Sequence, residues 1–195
     1  MKLYGTTGSP FVRRVRVVAA EVGEPVDLVL TANDVGQAAL REVSPIRKVP
    51  VAIIDGKTLF DSRVIIEYLT LTRGWGTMAP PRDRWRELNL VNAIDSALDS
   101  VIQLFYLKRD NLTADNNHAF GRRQIERADS IFTWLAAQLA DDRTFESGFG
   151  LAEISAICAL DWMEFRDQYA TADRLASLRA AWALRPSLAS TKPHA

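Results

Sequence analysis

The chain has 195 residues, of which 48% are apolar, enough to build a core in one large domain or two small ones. Its 24 lysines and arginines balance 24 aspartates and glutamates, so there is no basic field to hold nucleic acid. No segment approaches the roughly 18 apolar residues of a membrane span or has the pattern of a secretory signal. With one cysteine, Cys158, and two scattered histidines, His118 and His194, we expect no disulfide, no metal site and a cytoplasmic location.

The first part of the chain, residues 1–78, alternates strand and helix signals. The first helix begins at Ser9-Pro10, because serine is a good N-cap and proline suits the first helical position. Its apolar residues recur at helical spacing until Gly23 ends it. The segments are a strand at Lys2–Tyr4, a helix at Ser9–Val22, a strand at Val26–Leu30 and a short helix near Gln37–Val43.

The first helix also carries a run of arginines, Arg13, Arg14 and Arg16. Runs of like charge on a helix usually face solvent. We therefore expect a solvated face here rather than a phosphate-binding patch.

A β-hairpin is predicted next. Two apolar runs, Val51–Ile54 and Lys57–Phe60, are joined by Asp55-Gly56, and both turn residues tolerate the positive φ of a tight hairpin turn. Asp61-Ser62 then caps a helix with an apolar stripe at helical spacing. The strand–helix–strand unit requires a right-handed parallel crossover, and the hairpin adds antiparallel strands. The result is a mixed four-stranded sheet with helices packed on it.

The signals change after residue 78. Ala79-Pro80-Pro81 breaks the pattern, and residues 79–83 are interpreted as a linker. The remainder, residues 84–195, has helical periodicity and predicts an all-helical domain. Its helices are expected at Arg84–Lys108, Phe120–Leu139, Leu151–Tyr169 and Asp173–Leu184, with Pro186 ending the last one.

Three loops of the first part point to a binding site, because in such a sheet they lie near one edge. If the Val49–Pro50 peptide bond is cis, it makes a tight turn and leaves the Val49 backbone able to pair with an extended peptide. The alternative is a trans proline that merely starts a strand. Asp61-Ser62 is first of all a helix N-cap, but a capped helix start also favours anions. Ser62 could bind the carboxylate, and Asp61 the ammonium, of an α-amino acid head group.

Ser9 in the third loop has two compatible interpretations. As an N-cap it accepts a backbone N–H bond. Its hydroxyl can also point outward and donate to a bound thiolate, whose pKa is lowered by a donor and a helix N-terminus. Tyr4, Thr6 and Thr7 are rival donors, although Tyr4 lies within the strand and is expected to pack.

The order and spacing of these segments resemble the cytosolic glutathione transferase superfamily over roughly the first 75 residues. The matching runs are Met1–Tyr4, Ser9–Arg16, Ser44–Val51 and Leu59–Leu69. The Ser9 run is similar to that of small bacterial members. Phe149–Ile154 matches the helical half more loosely, through a capping box and a hydrophobic staple. The resemblance implies a thioredoxin-like N-terminal domain, an all-α C-terminal domain and a homodimer.

The resemblance also implies roles for individual residues. Ser9 would activate the thiol of glutathione, the co-substrate, for transfer to a small hydrophobic electrophile, as in detoxification. The implied glutathione contacts are Lys48, the backbone of Val49, a cis Pro50, and Asp61 and Ser62 for the γ-glutamyl group. The electrophile pocket would lie between the domains, with Phe11, Phe105, Tyr106 and Trp162 as candidates. Core packing is the alternative for each of these, and is slightly favoured for Trp162.

Three positions depart from the family pattern. Arg47 stands where the family has glycine, so a different turn is expected there. Gly150 replaces a serine or threonine cap, at a cost of about a few tenths of a kcal/mol. Pro10 stands where cysteine-type relatives carry their cysteine, which argues against disulfide chemistry at this position. The alternative functions are a non-catalytic adaptor on the same fold and a glutathione-dependent peroxidase or reductase.

Overall fold

The computed structural model describes residues 1–112, 119–146, 148–169 and 173–194. The chain divides into an N-terminal unit, Met1–Pro80 with Leu184–Ala195, and a helical unit, Pro81–Ala183. The last residues of the chain therefore pack with the N-terminal unit, which differs from the expected division. His118 lies outside the described residues. Within them, no group of three or more histidine, cysteine, aspartate or glutamate side chains could hold a metal ion.

The N-terminal unit contains a mixed four-stranded sheet, and the helical unit follows it, which confirms the predicted fold class. The elements are β1 (Lys2–Gly5), α1 (Pro10–Glu21), β2 (Asp27–Leu30), α2 (Asp34–Val43), β3 (Val51–Ile54), β4 (Lys57–Leu59), α3 (Ser62–Arg73), α4 (Arg84–Arg109), α5 (Ala119–Gln138), α6 (Leu151–Phe165), α7 (Asp173–Trp182) and α8 (Pro186–Ala189). The strand order is β2-β1-β3-β4, with β1 parallel to β2 and antiparallel to β3, and β3 antiparallel to β4.

Apolar side chains cover both faces of the sheet. Tyr4 and Val51 form a buried cluster with Leu40 of α2. Because side chains alternate along a strand, Leu3 and Ala52 point to the opposite face, and both are fully buried. α1 packs against α3, and α3 packs against β3. This packing on both faces holds the strands in place, and with them the loops that begin at the strand ends.

α1 is buried around most of its circumference, including two of its arginines. Arg13 is 1% exposed and Arg14 is 4% exposed, so the expected solvated face is wrong for both, whereas Arg16 is half-buried. Arg13 donates to the Leu188 carbonyl (Nη2, 3.2 Å) and to the Thr191 hydroxyl (Nε, 3.4 Å). Buried cations need such partners, because an unpaired buried charge is strongly disfavoured.

The C-terminal segment is hydrogen-bonded to α1 through the buried carboxylate of Glu21. Pro186 is the first residue of α8, so the prediction that it ends the last helix is wrong. Arg185 donates to the Glu21 carboxylate through Nε (2.7 Å) and Nη2 (2.6 Å), and the hydroxyls of Ser187 and Thr77 donate to it as well. Burial alone would raise the pKa of Glu21, but these hydrogen bonds outweigh it and lower that pKa.

In the helical unit, α4 packs against α5 and α6, and α6 packs against α7. One 18-residue stretch of α4 has a mean hydropathy of 1.2, which by length and composition alone would suffice to cross a membrane. This is weak evidence for a span, because the core helices of soluble proteins meet the same criterion. α6 is buried on nearly all sides.

Carboxylates from two helices accept hydrogen bonds from the backbone N–H groups at the N-terminus of α6, where Gly150 has no capping side chain. Glu153 accepts from the backbone N–H groups of Gly150 and Phe145, each at 2.8 Å. Glu87 of α4 reaches across and accepts from the N–H of Leu151 at 3.2 Å. Burial, followed by repulsion from neighbouring carboxylates including Glu153, raises the pKa of Glu87 to about 7.

Candidate functional site

The three loops singled out by sequence lie at the same end of the sheet. The end of β1 pairs with the start of β3, with Tyr4 opposite Val51. The start of β3 pairs with the end of β4, with Ala52 opposite Leu59. The loop after β1, the turn before β3 and the residues after β4 therefore converge at one edge. These segments contain Ser9, Val49–Pro50 and Asp61-Ser62.

The turn before β3 has the cis geometry that the family resemblance implied, rather than the trans alternative. The Val49–Pro50 peptide bond is cis. Pro50 is buried and Val49 half-buried, and within the described residues the Val49 backbone makes no hydrogen bond. Arg47 has a φ of 52°, in the left-handed region that glycine occupies most easily. Lys48 is exposed, so its side chain is open to a ligand.

Asp61 and Ser62 have different environments at the start of α3. Asp61 is the exposed N-cap, and its carboxylate accepts from the Arg63 N–H at 2.8 Å. The peptide bond between Phe60 and Asp61 is also cis. Ser62 is the first helical residue and is 1% exposed. Its hydroxyl oxygen accepts two hydrogen bonds from Arg14, from Nε at 3.1 Å and from Nη2 at 2.7 Å.

Arg14 is therefore a residue of this site that the sequence analysis missed. The signal was present in the pattern of α1, where Val12, Val15 and Val18 form one stripe and Val17 lies on another side of the helix. A helix that is apolar on most sides is buried, so its arginines must find partners inside the protein. The identity of the partner, Ser62, is not encoded in the helix itself.

Ser9 is the N-cap of α1, as predicted. Its oxygen accepts from the Val12 N–H at 3.3 Å, so its own proton can be donated to another group. Two of the rival donors are engaged elsewhere. Thr7 donates to the His194 carbonyl at 3.0 Å, and Tyr4 is 5% exposed within the sheet cluster. Thr6 is the rival that remains in this loop, half-buried like Ser9.

The candidate electrophile residues occur in both units. In the N-terminal unit, Phe11 is half-buried, and the Arg14 guanidinium lies 5.1 Å from its ring centroid. In the helical unit, the Phe105 ring lies 5.6 Å from Tyr106 and 5.7 Å from Trp162. Trp162 is 5% exposed and belongs to the core, whereas Tyr106 is 47% exposed.

Comparisons with known proteins identify the family of the chain. Residues 3–74 match the family model "Glutathione S-transferase, N-terminal domain", and residues 110–187 match "Glutathione S-transferase, C-terminal domain". The "Uncharacterized GST-like protein YibF" of Escherichia coli is 27% identical over 170 residues, covering 85% of this chain and 83% of that protein.

Two solved structures resemble the whole chain. A glutathione S-transferase of Methylobacterium radiotolerans, in complex with glutathione sulfonate, has a TM-score of 0.83 at 25% identity, covering 100% of this chain and 95% of that one. A glutathione transferase family member of Pseudomonas fluorescens, with bound glutathione, has a TM-score of 0.82 at 29% identity, covering 100% and 99%.

Proposed function

The chain belongs to the glutathione S-transferase family, and we propose that it is a glutathione transferase that activates the glutathione thiol for attack on small electrophiles. The observation that carries this proposal is the convergence of the three loops at one end of the sheet, where the Val49 backbone makes no hydrogen bond within the described residues. An extended tripeptide can pair with that backbone as an added strand. Both structural relatives described above are complexes with glutathione or its sulfonate.

The rest of the site suits the other groups of glutathione. Asp61 presents an exposed carboxylate for the γ-glutamyl ammonium, and Ser62 presents a hydroxyl at a helix start for the carboxylate. Lys48 is exposed and suits the carboxylate at the other end of the tripeptide.

Ser9 is the proposed catalytic residue. Its hydroxyl would donate to the thiolate of glutathione at the start of α1. The first turn of α1 contains no acidic residue, so no nearby negative charge opposes the thiolate at the positive end of the helix dipole. A hydrogen-bond donor and a helix N-terminus both stabilise a thiolate over a thiol, so the pKa of the bound thiol falls. A larger fraction of bound glutathione is then nucleophilic at neutral pH.

The second substrate is proposed to be a small hydrophobic electrophile. In the helical unit, Phe105 and Tyr106 present aromatic surface beside the buried Trp162. The guanidinium groups of Arg109 and Arg166 lie over Tyr106 and Phe105, at 4.7 Å and 5.4 Å from the ring centroids. Such an aromatic surface favours flat, apolar molecules.

Glutathione calorimetry tests the binding part of this proposal. Wild type is expected to bind, and the Asp61→Ala, Ser62→Ala double variant is expected to lose binding. A Ser9→Ala variant should still bind glutathione, but with a higher pKa of the bound thiol and a lower kcat with a chloronitrobenzene electrophile. Undiminished turnover and an unchanged thiol pKa would exclude the role of Ser9. A wild type that does not bind glutathione would favour an adaptor function on this fold.

We further propose that the protein forms a homodimer. On α4, Trp85 and Leu88 are 74% and 42% exposed and lie three residues apart, so they share one helix face. A second copy of the chain is the proposed cover for this apolar face. Sedimentation should show a dimer for wild type and a monomer for a Trp85→Ser, Leu88→Ser variant. A wild type that sediments only as a monomer would contradict the proposal.

A further inference from the structure

We propose that Arg14 is a positioning residue for the γ-glutamyl carboxylate of glutathione and that it acts through the hydroxyl of Ser62. The inference rests on the proposed function, and it names the part of the ligand that the site selects. It begins from the two hydrogen bonds that Arg14 donates to Ser62 Oγ, at 3.1 Å and 2.7 Å. The partners lie 48 residues apart in the chain and are both buried.

The two hydrogen bonds determine what the Ser62 hydroxyl can do. A serine hydroxyl has one proton to donate and two lone pairs that accept. When two guanidinium N–H groups point at the oxygen, they occupy its accepting capacity. The proton must then be directed away from Arg14, towards a third group. Ser62 can therefore act only as a hydrogen-bond donor at the start of α3, and a carboxylate is an acceptor that suits it.

Arg14 also places a positive charge beneath the site. Arg14 as a whole is 4% exposed, so water screens its charge little, and that charge adds to the positive end of the α3 dipole. The Phe11 ring, 5.1 Å away, packs against the guanidinium and helps to hold its orientation. Asp61, the next residue to Ser62, is an exposed carboxylate. This pattern of charges is complementary to a zwitterionic amino-acid head group.

The arrangement requires arginine rather than lysine. A guanidinium is planar and can direct two N–H groups at one oxygen while its face stacks on an aromatic ring. An ammonium on a flexible stem keeps the charge but not this geometry. The two variants therefore separate the contribution of charge from that of orientation.

The test compares two ligands, glutathione and glutathione amidated at its γ-glutamyl α-carboxylate. Wild type should prefer glutathione. In Arg14→Met this preference should fall by about tenfold or more, as expected for a lost hydrogen bond to a charged group. The affinity for glutathione should fall, and the affinity for the amidated ligand should stay unchanged. Arg14→Lys should have an intermediate preference. Arg16→Met is the matched control, because it removes a half-buried guanidinium from the same helix without a contact to Ser62, and it should keep the wild-type preference.

A double-mutant cycle shows whether Arg14 acts through Ser62. Arg14→Met in a Ser62→Ala background should cause little further loss of glutathione affinity, because the intermediary is already absent. A preference that is unchanged in Arg14→Met, or equal losses for both ligands, would overturn the inference while leaving the proposed function in place. If Arg14→Met does not fold, a wild-type preference in Arg14→Lys would overturn it. A wild type that binds no glutathione would overturn the proposed function and this inference together.

Discussion

Replacing Glu87 by glutamine removes a buried titrating group from the N-terminus of α6 while keeping an oxygen that can accept from Leu151. In the wild type, the carboxylate lies 3.2 Å from the Leu151 N–H and near a second buried carboxylate, Glu153. Its pKa is raised from 4.5 to about 7, first by burial and then by this repulsion. Between those two values the folded protein binds more protons than the unfolded chain. Glu87 therefore makes its full contribution to stability below pH 4.5, and that contribution is lost as the pH rises through 7.

The size of the effect follows from the two pKa values. Between about pH 6 and about pH 8, linkage gives a loss of about 1.3 kcal/mol in the free energy of unfolding from Glu87 alone. The variant lacks this loss, and its neutral amide also relieves repulsion on Glu153, whose pKa burial raises as well. The variant should therefore gain on the wild type as the pH rises.

Urea unfolding followed by far-ultraviolet circular dichroism measures this difference. The gap between variant and wild type should widen by about 1 kcal/mol from about pH 6 to about pH 8. Glu126→Gln is the control, because Glu126 is an exposed glutamate on α5, and its unfolding should follow that of the wild type at both pH values. Parallel pH dependences for Glu87→Gln and the wild type would refute the argument that Glu87 is protonated in the folded protein near neutrality.

Three further substitutions test particular contacts by the same unfolding measurement. Arg47→Gly should stabilise the protein by about 1 kcal/mol, because glycine removes the cost of a left-handed residue at φ 52°; a loss of stability would contradict this. Gly5→Ala should destabilise by about 1–3 kcal/mol, because the new Cβ would lie 2.5 Å from Val12 Cγ2, and an unchanged midpoint would show that α1 shifts freely. Arg185→Met should destabilise by about 3 kcal/mol, because it leaves the buried Glu21 carboxylate without its cation. Adding Glu21→Gln to Arg185→Met should recover part of that loss, and no recovery would contradict the pairing.

The parts of the fold that were predictable from sequence are those fixed by neighbouring residues. The hairpin was found because Asp55-Gly56 is a strong turn signal, and both residues have positive φ, at 49° and 74°. The start of α1 was found because a serine cap and a first-turn proline act within one turn of helix. The convergence of the three site loops followed from the order of the strands.

What the sequence analysis missed depends on partners far apart in the chain. Glu87 lies 64 residues from the Leu151 N–H that it caps, and Arg14 lies 48 residues from Ser62. A periodic pattern reports which face of a helix is apolar, but it does not say which distant group approaches that face. For the same reason a run of arginines was interpreted as exposed, although tertiary partners bury two of them.

α1 links the two ends of the proposed ligand site through one rigid element. Ser9 caps its N-terminus, and Arg14, in its second turn, donates hydrogen bonds to Ser62, the residue that starts α3. The proposed thiol donor and the proposed carboxylate donor are therefore held at a distance set by the helix rather than by loops. Arg13, between them, ties the same helix to the C-terminal segment. Such preorganisation lowers the entropy lost on binding. It also means that substitutions on α1 must be judged by ligand preference and thiol pKa, because loss of activity alone would not separate a disrupted site from a disrupted fold.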